Sequence, residues 1–161
     1  MTFDLRILGI DPGTSLIGYG IIETDGKNYR TVDFGNLRTG TNIDNSRRVE
    51  TICDFFDKLI KRFKPDRVAL ESLFFFKNAK TVVKVSEVRG VLMLAAAKNG
   101  VEISEFTPLQ VKQAVSGYGR AEKKQVQKMV KLILGLKSEP RPDDTADALA
   151  LAICCANTVI Y

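Results

Sequence analysis

The segment LGIDPGTSLIGYG, Leu8 to Gly20, constrains this chain more than any other. An apolar run from Leu5 to Asp11 meets the turn PGTS, and a second apolar run follows from Leu16 to Glu23. A turn that short cannot carry a crossover, so the two runs form an antiparallel hairpin. A third, more weakly alternating run from Tyr29 to Arg38 extends it to a three-strand meander. The first run is apolar almost throughout, which marks a central strand covered on both faces. Yet it closes on a carboxylate, Asp11. A buried carboxylate is costly unless a cation meets it or it stands at an exposed strand end.

Helical spacing takes over from Ser46 to Phe63, where Val49, Ile52, Phe55, Phe56, Leu59, Ile60 and Phe63 share a face. Ser46 is the expected cap and Pro65 the stop. RVALE, Arg67 to Glu71, reads as a short strand that again ends in a carboxylate. A loop with three phenylalanines leads to a long helix, Thr81 to Asn99, closed by Gly100. A fifth strand spans Val101 to Phe106. Thr107 caps a helix with Pro108 at its first position, running to Ser116. GYGR breaks it, and a basic amphipathic helix follows from Ala121 to Leu134. After SEPRP, Asp143 or Asp144 caps a last helix from Thr145 to Asn157. The order β-β-β-α-β-α-β-α-α-α predicts an α/β fold: a five-stranded mixed sheet, three strands antiparallel and two parallel, flanked by helices. The 161 residues are most simply one domain, 1–161.

Composition narrows the chemistry. There is no histidine, so the commonest general base and metal ligand is missing, and carboxylates, lysine, serine or metal-bound water must do any hydrolysis. Cys53, Cys154 and Cys155, an odd count with an adjacent pair, read as reduced, inert thiols. No apolar run approaches the roughly 20 residues of a membrane span. Asp4 and Arg6 interrupt any signal sequence, so the expected location is cytoplasmic. The net charge of +5 is unevenly spread. Lys61 to Lys84 holds seven cations against Asp66 and Glu71, and Lys112 to Lys131 holds six against Glu122. Such clusters suit a polyanion or are simply solvated helix faces.

The carboxylates then find company. Asp11 and Glu71 end strands expected to lie side by side and parallel, so both project at one sheet edge. DDTAD puts Asp144 and Asp147 on one face at a helix start. Four such charges together need cations. Mg²⁺ suits oxygen-only ligands, and a pair of ions can clamp a phosphodiester, one activating water and the other stabilising the leaving oxygen.

Taken together, GIDPGTSLIGYGII, ALESLFFFKNA, VRGV, LQVKQAVSGYGRAEKKQVQKMV and PDDTADALALAI resemble the RuvC family of crossover junction endodeoxyribonucleases, in order from Leu8 to Ile153. The resemblance implies a ribonuclease H-like fold and a homodimer that resolves four-way (Holliday) DNA junctions in recombination and repair. Two symmetric nicks leave 5′-phosphate and 3′-hydroxyl ends. It implies two Mg²⁺ per site, with Mn²⁺ able to substitute, held by Asp11, Glu71, Asp144 and Asp147. Some relatives carry histidine where this chain has Asp144, and Asp143 reads as the cap. Lys112 and Lys123 match family lysines near the scissile phosphate, and Phe74 matches an aromatic that stacks on a junction base. Lys77, Arg120, Lys124 and Lys128 are the remaining candidate DNA contacts. RuvA and RuvB are implied partners if the source is bacterial. The excess apolar surface of the Thr81–Asn99 helix suits packing against a second copy. Two other readings share the fold: a junction-binding protein without catalysis, and a less specific nuclease for branched DNA. GIDPGTS also resembles the phosphate loop of actin-like ATPases, but those need a second domain for which this chain is too short.

Overall fold

The computed structural model describes residues 2–73 and 78–159. Strand β1 (Leu5–Asp11) lies at the centre, antiparallel to β2 (Leu16–Thr24) and parallel to β4 (Arg67–Glu71). β3 (Tyr29–Arg38) and β5 (Glu102–Phe106) are the edges, giving the order β3-β2-β1-β4-β5. This is the expected mixed sheet. β1 is apolar on both faces because both are covered. Leu8 and Ile10 point into a core with helices α1 (Asn45–Phe63) and α2 (Ala79–Lys98). Ile7 points the other way, into a core shared with α3 (Pro108–Ser116), α4 (Lys123–Ile133) and α5 (Asp143–Val159). Full burial of a side chain such as Ile7 or Leu149 contributes about 1.5–3 kcal/mol.

Strand parity fixes where Asp11 goes. It shares the α5-facing side with Gly9 and Ile7, two and four residues back. Helix α5 reaches that side because glycines clear its path. A Cβ on Gly9 would stand 2.0 Å from the Ala148 carbonyl oxygen, and one on Gly18 would stand 2.1 Å from that of Asp144. Gly18 pairs with Asp11 in the β1–β2 ladder. The helix therefore runs against the direction of β1, with its N-terminus at the edge where β1 and β4 end.

Helix starts differ from the sequence expectation. Asp44, not Ser46, is the N-cap of α1, and it makes no side-chain capping bond. The helix closes at Lys64, in the left-handed region at φ 47°, with its N–H on the Ile60 carbonyl at 2.7 Å. Asn78 caps α2 by accepting from the Lys80 N–H, so that helix starts before Thr81. Ala121 lies outside α4, which Glu122 precedes. Asp143 is the first residue of α5, not its cap, because its side chain is drawn to Lys123 and Arg141 instead. α3 matches its expected bounds, with a reciprocal capping box between Thr107 and Gln110.

Candidate active site

Two strand ends and one helix start converge as the topology requires. β1 contributes Asp11, β4 contributes Glu71, and the first turns of α5 contribute Asp144 and Asp147. Asp11, Glu71 and Asp147 open into a cleft of about 290 Å³ with Lys112 of α3 and Lys123 of α4. Pro108, Val111, Val126 and Leu151 form its apolar wall.

The electrostatics are those of crowded anions. Burial, then the charges of Asp147, Asp144 and Glu71, push Asp11 up from 3.8 to about 8. Asp11 and Asp144 also share a hydrogen bond, and a proton on Asp11 makes it the donor. Burial and the Asp147 charge raise Glu71, against the opposing charges of Arg89, Lys112 and Lys123. Burial raises Asp147 too, opposed by Lys123 and reinforced by Asp144 and Asp143. The Lys123 ammonium stands 3.5 Å from Asp147 and 3.4 Å from Asp143. Burial works to lower its pKa, and the two carboxylates more than offset this, so it stays charged.

Among the described residues, no three acidic or thiol side chains form a ready-made metal cage. Lys123 draws the Asp147 carboxylate to its side of the cleft. The donor set nevertheless fits a hard divalent ion. It is oxygen-only, convergent and open to water, and Mg²⁺ is typically held by one or two carboxylates with several retained waters.

The other sequence candidates are spread more widely. Lys124 and Lys128 line a neighbouring cleft of about 300 Å³ with Lys123, Gln127 and Arg141. Arg120 is exposed in the turn between α3 and α4. Phe74 and Lys77, with Phe75 and Phe76, lie outside the described residues. Cys154 and Cys155 are buried thiols pushed up to about 12 and about 11, first by burial, as inert cysteines should be.

Sequence reading passed over three features of the site. Asp143 joins the lysine network, and Arg141 donates to it at 2.8 Å. Arg89 of α2 is buried beside Glu71. Gly9 and Gly18 admit α5 to the sheet. The last had a visible signal, alternate glycines within apolar strands, which marks a close backbone approach.

A family profile described as crossover junction endodeoxyribonuclease RuvC matches residues 7–155. The chain belongs to the RuvC family. The RuvC protein of Alkaliphilus metalliredigens is 51% identical over 152 residues, covering 94% of this chain and 93% of the relative. That of Fusobacterium nucleatum is 48% identical over 155 residues, covering 96% and 82%. Thermus thermophilus RuvC, solved in complex with a Holliday junction substrate, superposes with a TM-score of 0.93 at 36% identity, covering 97% of this chain and 95% of that one. The ribonuclease H-like arrangement read from the resemblance is thus the fold of this RuvC family member.

Proposed function

We propose that this chain resolves four-way DNA junctions by metal-dependent hydrolysis at the Asp11–Glu71–Asp144–Asp147 cluster. The observation that carries the reading is the convergence of Asp11, Glu71 and Asp147 in one open cleft lined by Lys112 and Lys123, with Asp144 beside Asp11 at the start of α5. Carboxylates gathered and buried in this way repel one another unless cations offset their charge. Asp11, Glu71, Asp144 and Asp147 would hold two Mg²⁺, or Mn²⁺ in their place. Bound there, such ions supply an activated water and charge stabilisation at the leaving 3′ oxygen.

The protein's own groups do the rest. Lys112, on the cleft wall, offers an ammonium to a scissile phosphate. Lys123, tethered between Asp143 and Asp147, neutralises the cluster before substrate arrives and can turn to the phosphodiester once Asp147 has another partner. Lys124, Lys128 and Arg141 extend a cationic track along which backbone phosphates can lie. Arg120 and Lys77 are further phosphate contacts in this reading, and Phe74 stacks on a junction base.

A twofold homodimer would set two such sites on strands of like polarity. Its support is the outer face of α2, where Val83, Met93 and Leu94 are 57%, 42% and 53% exposed. The chain is taken as a single nuclease domain, working in the cytoplasm with RuvA and RuvB on the strength of family membership. No helix among the described residues is long and apolar enough to cross a membrane.

The test is cleavage of an end-labelled synthetic four-way junction in Mg²⁺ and in EDTA, beside a linear duplex. Paired symmetric nicks that need both metal and junction are expected. Junction binding without nicks would overturn the catalytic reading. Equal cutting of flaps and duplex would make the chain a less specific nuclease.

A further inference from the structure

Glu71 differs from Asp11 in how its backbone is held. The β1–β4 ladder runs from Ile7↔Arg67 to Ile10↔Leu70 and ends there. On the other side, β4 still pairs with β5 at Glu71↔Phe106, and the Ser72 N–H reaches the Phe106 carbonyl at 2.8 Å. The Glu71 carbonyl meets a side chain: the Arg89 guanidinium donates to it from α2. Another nitrogen of the same guanidinium donates to the Glu105 carboxylate on β5. Arg89 is 8% exposed. A cation buried that deeply needs a reason in an otherwise apolar stretch of helix, where Val88 and Leu92 beside it are core. It also lines a second cavity, of about 390 Å³, that shares Glu71 and Pro108 with the active-site cleft.

We propose that Arg89 is a positioning residue: its two-pronged guanidinium clamps the Glu71 end of β4 to α2 and β5, fixing where the Glu71 carboxylate stands. The clamp acts through the main chain, so it sets the direction of the Cα–Cβ bond before any ion arrives. Glu105, with its side chain 44% exposed, anchors the far prong and balances the buried charge. Lysine cannot replace this group, because an ammonium lacks the planar fork that reaches a carbonyl and a carboxylate at once. The inference rests on the reading of Glu71 as a metal-holding carboxylate.

The experiment measures Mn²⁺ binding by calorimetry, without DNA, for wild type, Arg89→Lys, Arg89→Met and Glu105→Gln. All are held well below their melting temperatures. Groups that orient a ligand typically carry 10–100-fold in metal affinity. We expect weakening of that order for both Arg89 variants and a smaller loss for Glu105→Gln. Junction affinity in EDTA should stay within about twofold, and kcat for junction cleavage should fall with KM unchanged. A purely structural Arg89 would lower the melting temperature and leave Mn²⁺ affinity intact, and that result overturns the clamp. Arg89→Lys keeps the buried charge, so it remains informative if Arg89→Met does not fold. Wild type that neither binds Mn²⁺ nor cuts a junction overturns the active-site reading and the clamp together. An active wild type with unchanged variants overturns the clamp alone.

Discussion

Asp11→Asn should make the metal-free protein more stable. At pH 7 the unfolded chain ionises Asp11 freely at its ordinary 3.8, whereas the folded chain holds it near 8 and must keep a proton on it. Each unit of pKa is worth about 1.4 kcal/mol, so roughly three units between 3.8 and pH 7 place the ceiling at about 4 kcal/mol. Residual solvent and relaxation of the neighbouring carboxylates reduce this to roughly 2–4 kcal/mol. For a chain of this length that is a rise in Tm of roughly 5–15 °C. The sign follows from proton counting. Between 3.8 and about 8 the folded state binds the extra proton, so wild-type stability from this group is greatest at low pH and falls as pH rises. The assay is thermal unfolding of wild type and Asp11→Asn in EDTA at pH 4, 5.5, 7 and 8. The Tm gap should be near zero at pH 4 and widen steadily. Added Mg²⁺ should narrow it by stabilising wild type alone. A variant no more stable than wild type at pH 7, or a gap flat with pH, would refute the account of a crowded carboxylate cluster. The same variant should lose junction cleavage and keep junction binding.

The opposite pH sign belongs to Glu23, whose side chain is 6% exposed and held by Arg6 and Arg30. Burial raises its pKa, but the two guanidiniums lower it further, so its stability is present above 4.5 and lost on acidification. Glu23→Gln should cost about 2 kcal/mol at pH 7, discounted for the part-exposed arginines, and far less below pH 4, as urea unfolding will show. Gly18→Ala puts a Cβ 2.1 Å from the Asp144 carbonyl oxygen, which must push back the start of α5. It should cost about 1–3 kcal/mol and abolish cleavage while junction binding survives. Leu94→Glu, on the exposed face of α2, should give monomers by sedimentation at micromolar concentration with Tm little changed. A dimer that survives would move the interface elsewhere.

The sheet was legible because each signal was local. PGTS permits only a hairpin between β1 and β2, and the all-apolar β1 announced helices on both faces. The carboxylates at Asp11 and Glu71 were legible because both end strands, so topology alone brings them to one edge. The helix starts were less legible because capping depends on tertiary competitors. Asp143 looks like a cap in PDDTAD, but Lys123, on another helix, and Arg141, two residues before it, recruit its side chain. Ser46 looks like a cap for α1, and the cap falls two residues sooner, at Asp44. Arg89 was hidden for the same reason. VRGV says only that a cation interrupts an apolar helix, and what it clamps lies 18 residues back in the chain and 16 ahead.

The way α5 meets the sheet explains why a cluster so hostile to folding persists. A helix resting on side chains would stand about 10 Å from the sheet, too far for short aspartates on both to share a proton. Gly9 and Gly18 let the α5 backbone lie directly on the β1 and β2 backbones, so Asp144 and Asp11 come within hydrogen-bond reach. The same approach buries the helix from Ala148 to Ala156 without a break. Burial of that stretch, with Leu149, Leu151 and Ile153 each contributing about 1.5–3 kcal/mol, outweighs repulsion of a few kcal/mol at its N-terminal end. The strain is thus confined to one turn of helix and two strand ends. Lys123 and Arg89 bring the countercharge to them from opposite sides of the cleft's carboxylates, one facing Asp147 and the other Glu71.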